Sequence, residues 1–390
     1  MKQSTVLRGL IASACIGMWA HADAPLLKWH GFILPYYSLA TSGVETFSNP
    51  NEGAVTAAAN PVMQAANLGA ARSSFQVAQS RLGFTVSPSA ELSALMELDF
   101  IDFTKSSPTT QANPRLRRAF LTYSPSASFK IQFGQDWDIT SPLIPFTYNF
   151  VGHFFEAGDI AFMRHQLVGI WTSGHWESVV AIGLPQANAS FAEGNTELSI
   201  VPTLAVRETY KAENWQAGFS ALVTPLRVSA TERVVSGALT AFTSVTSGAL
   251  EFRSEAYLGR NTQNLGMLGL TFCNATNSTS CPQEAGMYVS AKKKMGVTSV
   301  FASVGGAAVI SDVSSILPSY KTTDFTLNGT GSGIESNWTA HLGGDYKIAE
   351  GAVLWGEVSY WNTRHHLAAG ATVDPNATAL VFQIGSQVSL

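Results

Sequence analysis

Charged residues are scarce in this chain. Asp, Glu, Lys and Arg make up 13% of its 390 residues, against about 25% in typical soluble proteins. The formal net charge is −4, and without a basic excess there is no reason to expect nucleic acid as a partner. Beyond residues 1–22, no segment approaches the roughly 20 apolar residues that a membrane-spanning helix needs. These scarcities disfavour both an ordinary soluble domain and a bundle of membrane helices.

Cysteine is rare too, with three residues in the whole chain. Cys273 and Cys281 lie close together in a polar stretch. In an oxidising compartment such a spacing favours a disulfide within one outer loop, and the alternative is two free thiols. A metal site would need more ligands than this region offers. Neither a metal nor any other cofactor is therefore expected.

The N-terminus has the features of an export signal. Lys2 and Arg8 give a basic start, residues 9–20 are apolar, and Ala20-His21-Ala22 fits a small-x-small cleavage site. We predict that residues 1–22 are a signal peptide that is removed, and that 23–390 form a single domain. Cleavage two residues later and a lipoprotein box around Cys15 are less favoured alternatives.

Apolar and polar residues alternate with a period of two through most of the remaining chain. The clearest example is 91–100, where Leu92, Ala94, Met96 and Leu98 fall on one face and Ser93, Glu97 and Asp99 on the other. The same pattern occurs in 82–86, 129–133, 215–223, 338–346 and 380–390. Such alternation predicts strands whose two faces meet different environments.

The connections between these strands alternate between short and long. Tight turns are predicted near 87–90, 125–127, 173–174, 212–213, 295–296 and 350–351. Long polar connections are predicted at 40–74, 139–162, 186–197, 261–285, 311–335 and 365–378. This asymmetry is typical of outer-membrane barrels, which have short periplasmic turns and long outer loops. We predict an all-β, transmembrane antiparallel barrel of about 16 strands. A soluble β-sandwich would explain the alternation alone, but not the loop lengths.

Several motifs then resemble a known family, the DcaP-like porins of Gram-negative bacteria, which are relatives of the phosphate-selective porins. The resemblance covers about residues 27–140. It rests on Trp29-His30-Gly31-Phe32, Gln79-Ser80-Arg81-Leu82-Gly83-Phe84, Glu97-Leu98-Asp99-Phe100, Arg115-Leu116-Arg117-Arg118-Ala119-Phe120 and Phe133-Gly134-Gln135-Asp136-Trp137. The family implies a trimer of 16-stranded barrels and passive diffusion of small, often anionic, solutes. The chain departs from the family by ending in Leu390 instead of Phe.

The expected function is therefore an integral porin of the bacterial outer membrane, which admits small hydrophilic solutes, anions among them, through a water-filled barrel. Expected partners are membrane lipid, lipopolysaccharide, the solutes and further copies in a homotrimer. The alternative is a plugged barrel acting as an adhesin, receptor or structural protein. An enzyme is not expected, because no Gly-x-Ser-x-Gly, His-Glu-x-x-His or phosphate-loop motif occurs.

The candidate pore-lining residues are charged residues in the polar phase of the early strands. They are Arg81, Glu97, Asp99, Arg115, Arg117, Lys130, Asp136 and Arg164. Basic residues outnumber acidic ones, which predicts a modest preference for anions. The alternative is that the charges are cross-strand pairs that only keep the wall wet. Antiparallel register would place Arg81 opposite Glu97 and Arg117 opposite Asp136, and would leave Arg118 on the apolar face.

Residues 139–162 are predicted to form a constriction loop. Pro142 and Pro145 would stiffen it, and its acidic residues Glu156 and Asp159 would face the basic wall. The alternative is an outer loop that packs on a neighbouring subunit, since long ordered loops serve several purposes.

Overall fold

The computed structural model describes residues 26–41, 71–100, 114–148, 154, 157–160, 163–184, 202–227, 233–261, 283–311, 334–365 and 376–390. The predicted signal peptide, Glu156 and both loop cysteines, Cys273 and Cys281, lie outside these residues. In the described part of the chain, no helix has the length and apolar character needed to cross a membrane.

The described residues form sixteen antiparallel strands. The first two strands are each interrupted once: β1 comprises Leu26–Ile33 and Tyr36–Ala40, and β2 comprises Arg72–Gln76 and Arg81–Ser87. The others are β3 (Leu92–Asp99), β4 (Arg115–Ser126), β5 (Phe129–Trp137), β6 (Met163–Ser173), β7 (Trp176–Gly183), β8 (Thr203–Lys211), β9 (Trp215–Arg227), β10 (Arg233–Ser247), β11 (Leu250–Arg260), β12 (Gln283–Met295), β13 (Thr298–Val309), β14 (Ile334–Ala349), β15 (Ala352–His365) and β16 (Asn376–Ser389).

The sheet closes on itself. Each strand pairs with the next along the chain, and β16 returns to β1, where Phe382 lies opposite Leu39 and Val388 lies opposite Ile33. Closure gives every described strand a neighbour on both sides, which is how a sheet satisfies its backbone groups in lipid. The predicted fold class is confirmed.

Turn chemistry explains the tight connections. Gly174, Gly248, Gly296 and Gly351 have φ values of 59, 57, 66 and 71°, a left-handed conformation that glycine adopts without a Cβ penalty. The predicted turns lie where the strands require them. The turn at Gly248-Ala249 was not predicted, because Ser, Ala and Thr blur the alternation in β10.

The two faces of the barrel differ in chemistry. On β13, Ser299, Ser303 and Phe301 are buried, whereas Val300 and Val304 are exposed. On the outer face, aromatic rings gather near the tight turns: Tyr210 lies 5.2 Å from both Trp176 and Trp215. This position is typical of the aromatic girdle at a membrane interface.

Candidate functional site

The segment that follows β5, Asp138–Tyr148, runs along the inner face of the barrel; we call it the inserted segment. Its first residue, Asp138, accepts a hydrogen bond of 2.8 Å from Nη2 of Arg164 on β6, and both side chains are buried. Arg164 also donates to the carbonyl oxygen of Leu184 at 2.8 Å. This buried arginine therefore fixes the point where the segment leaves the wall.

The next residues follow the wall strand by strand. The Ile139 carbonyl oxygen accepts from Arg207 on β8 at 3.2 Å, and the Thr140 carbonyl oxygen accepts from Ser220 on β9 at 2.6 Å. A segment without regular structure needs partners for its backbone groups. Side chains of the inner wall supply them here.

Glu255 on β11 holds the middle of the segment. Its carboxylate accepts from the Ser141 hydroxyl and, at 3.1 Å, from the Leu143 amide. On the next two strands, the pattern continues at Phe146. Its amide donates to Ser290 on β12 at 2.8 Å, and its carbonyl oxygen accepts from Ser303 on β13 at 2.7 Å.

Glu357 on β15 holds the last two residues of the inserted segment, which we call its tip. It accepts from the Thr147 hydroxyl at 2.9 Å, from the Tyr148 amide at 2.6 Å and contacts His341 Nδ1 at 2.5 Å. The Tyr148 ring stacks on Trp355 with centroids 4.6 Å apart. Burial and the Asp345 carboxylate raise the pKa of the Tyr148 phenol, so it stays protonated and donates to Asp345 at 2.8 Å. The segment thus spans the wall from β6 to β15.

The predicted charges of β2–β4 gather on the wall that the segment leaves uncovered. Arg115 forms a bidentate ion pair with Asp99, with hydrogen bonds of 2.9 and 2.6 Å. Arg117 binds Glu97 and lies 3.9 Å from Asp99. Arg81 is in register with Asp99, and its guanidinium carbon lies 5.3 Å from the centre of the Phe32 ring.

A β-bulge changes the predicted pairing. Glu97 is opposite Arg118 and Leu98 is opposite Leu116, so Arg117 is an extra residue in β4. The bulge turns Arg118 inward, where it binds Asp136 at 2.6 and 3.1 Å. The predictions that Arg118 lies on the apolar face and that Arg117 pairs with Asp136 are therefore wrong. Arg81 lies opposite Asp99, and not opposite Glu97 as predicted.

Two predicted residues lie apart from this cluster. Lys130 is exposed, close to the tight turn at 127–128 and opposite Ile170. Asp159 is buried and accepts from the Ser141 hydroxyl at 2.7 Å, so the returning part of the chain packs against the outgoing part. That Asp159 faces the basic wall stays a prediction.

A cavity of about 390 Å³ lies between the inserted segment and the wall of β4–β10. Arg118 and Asp136 line one side of it. On another side Glu177 binds Arg207 at 3.1 Å and Lys211 at 2.5 Å. Sequence reasoning missed Glu177, Arg207, Glu255 and Glu357 as site residues. Their alternating phase could have placed them on the inner face, but not against a loop far away in sequence.

No protein family model matches this sequence, and no curated protein matches it. Solved structures do resemble the fold. The trimer form of in-vitro folded OmpT, an outer membrane protein of Vibrio cholerae, is 13% identical with a TM-score of 0.53, covering 94% of this chain and 100% of that one. A refined porin structure is 13% identical with a TM-score of 0.51, and the match covers 94% of this chain and 100% of that one. OmpF of Salmonella typhi, in complex with daunomycin, is 10% identical with a TM-score of 0.55, and the match covers 93% of this chain and 100% of that one. At such identities the likeness shows the fold alone.

Proposed function

We propose that this chain is an outer-membrane porin, integral to the membrane, through which small hydrophilic solutes diffuse passively. One observation carries the proposal: the inserted segment is fastened to the inner wall from β6 to β15. A segment held in this way narrows the lumen on one side. The charged wall of β2–β4 is then the surface that passing solutes meet.

We infer a modest preference for anions from the charges on that wall. Four guanidinium groups, of Arg81, Arg115, Arg117 and Arg118, accompany the carboxylates of Glu97 and Asp99 and that of Asp136 on the neighbouring β5. In a narrow, water-filled passage with low-dielectric walls, the summed field acts on every permeating ion, even where individual charges are paired. Arg164 and Asp138 add one charge of each sign, so this pair leaves the balance unchanged. Lys130 would act at the mouth on the turn side.

The remaining expectations belong to the same proposal. The solute crosses unchanged, so the protein is not an enzyme. Membrane lipid and lipopolysaccharide contact the apolar outer face. Residues 1–22 direct export and are removed, and 139–162 form the constriction. The trimer form of the similar OmpT supports a homotrimer. The motifs of 27–140 support a relationship to the DcaP-like porins.

Liposome swelling tests passive diffusion directly. Proteoliposomes of the folded protein, diluted into neutral sugars of increasing size, should swell at rates that fall steeply with sugar size and do not saturate with concentration. Pore width and hydration limit such diffusion, without a binding step that could saturate. Properly folded protein that gives no swelling with any sugar would favour a plugged barrel acting as an adhesin, receptor or structural protein.

A further inference from the structure

Two limbs of the chain meet at one wall residue inside the barrel. Ser141 lies in the outgoing inserted segment, Asp159 lies in the returning part, and Glu255 projects from β11. The Ser141 Oγ atom is 2.7 Å from Asp159 Oδ1 and is also hydrogen-bonded to the Glu255 carboxylate. Glu255 is further bound by the Leu143 amide at 3.1 Å. These three side chains are called the carboxyl latch.

The hydrogen count of the carboxyl latch requires one more proton. A hydroxyl carries a single hydrogen, and an ionised carboxylate can only accept. Ser141 therefore cannot donate to Asp159 and Glu255 at the same time. If one carboxyl is protonated, it donates to Ser141 Oγ while Ser141 donates to the other, and both contacts are satisfied.

The surroundings of the carboxyl latch favour the same state. Asp159 and Glu255 are only 1% and 2% exposed, and two carboxylates at such a buried site cannot easily both ionise. The facing cations have other partners: Arg253 on β11 binds Glu251 at 2.6 Å, and Arg207 on β8 binds Glu177 at 3.1 Å. From β12 the only titratable group that faces the latch, among the described residues, is the Tyr288 phenol.

We propose that the carboxyl latch holds one shared proton, and that this proton fastens the inserted segment to β11 and makes the conductance of the channel depend on pH. The second half of the proposal rests on the proposed function as a porin. Losing the proton leaves two buried carboxylates side by side, and their repulsion acts directly on the contact that joins the two limbs.

The pH range follows from the sign of the shift. Burial raises the pKa of Asp159 from 3.8 to about 7. A carboxyl whose pKa is raised in the docked state stabilises that state fully below its ordinary pKa, and the stabilisation is lost as the pH rises through the raised value. The latch should therefore keep its shared proton at neutral pH and should open in alkaline solution, as the pH rises above about 7.

Single-channel recording across this range tests the proposal. The wild-type channel should show a reversible transition in conductance as the pH rises above about 7. The variant Asp159→Asn carries N–H groups that donate to Ser141 at every pH, so it should keep the acid-form conductance and lose the transition. The control Glu350→Gln removes an exposed carboxylate in the β14–β15 turn and should keep the wild-type profile.

Infrared titration in detergent provides a readout that needs no conductance. The C=O stretch of a protonated carboxyl should be present at neutral pH, disappear on alkaline titration and be absent from Asp159→Asn. A flat conductance profile together with no such band would overturn the carboxyl latch and leave the porin intact. A titrating band in a protein that never conducts would instead overturn the proposed function and the gating that rests on it.

Discussion

At the scale of residues, the inner wall combines burial with ion pairing. Glu97, Asp99 and Arg117 are 8, 0 and 5% exposed, yet each has an oppositely charged partner within 4.0 Å. Burying a charge is costly unless a partner and hydrogen bonds compensate. The cluster therefore stabilises the wall as well as producing an electric field in the lumen. Removing one of its charges should destabilise the barrel.

Removing Arg117 should destabilise the barrel strongly. Arg117→Met leaves Glu97 without its closest cation, which should cost about 3–5 kcal/mol. The double variant Arg117→Met with Glu97→Leu should recover most of that loss, because no buried charge is then stranded. Urea unfolding followed by heat-modifiable gel migration measures both. The exposed pair Arg364–Glu335 is the matched control, and its removal should change stability by about 1 kcal/mol or less. Equal losses at the two pairs would contradict the account.

At the scale of elements, the inserted segment has an irregular backbone that the wall holds in place. Two glutamates, Glu255 and Glu357, each accept one hydroxyl and one backbone amide from it. A hydrogen bond to a charged group contributes about 1.5–3 kcal/mol. The position of the segment therefore depends on a few acidic side chains on distant strands.

Releasing the tip should change the current through the channel. Glu357→Ala removes the acceptor for Thr147 and Tyr148, so the segment should fluctuate and the single-channel current should become larger and noisier. Glu357→Gln keeps one acceptor oxygen and should be intermediate. The control is Glu335→Ala, which removes a carboxylate that is paired with Arg364 at the start of β14. A current from a folded Glu357→Ala channel identical to wild type would show that the tip does not shape the passage.

The elements also show how far sequence reasoning reached. Period-two alternation predicted the strands and the closed barrel, because each strand separates two environments along its whole length. It did not predict the bulge at Arg117, since a single extra residue changes the face of Arg118 without altering the composition of β4. Nor could it pair Ser141 with Glu255, because such contacts between a loop and a distant strand depend on tertiary structure. The disulfide between Cys273 and Cys281 stays a prediction.

At the scale of the whole molecule, the closed barrel has a lumen with two different sides. Sixteen strands form the wall, the inserted segment lies along β6–β15, and the charged strands β2–β4 lie on the remaining side. The two sides of the lumen thus differ in character. One is lined by loop backbone, and the other by alternating guanidinium and carboxylate groups. An ion that crosses the barrel should meet this asymmetry as a net field.

Reversal potential in a salt gradient tests this account most directly. Wild-type channels in a planar bilayer, under a tenfold gradient of dilute potassium chloride, should conduct in steps with a reversal potential that favours chloride. Arg118→Gln, which removes one partly exposed charge from the wall, should lower the chloride-to-potassium permeability ratio about twofold or more, most clearly in dilute salt. Arg364→Gln makes the same charge change at an exposed ion pair and should leave the ratio unaltered. Potassium selectivity in the wild type, or a ratio that Arg118→Gln does not move, would contradict the claim that the β2–β4 wall is the path of the ions.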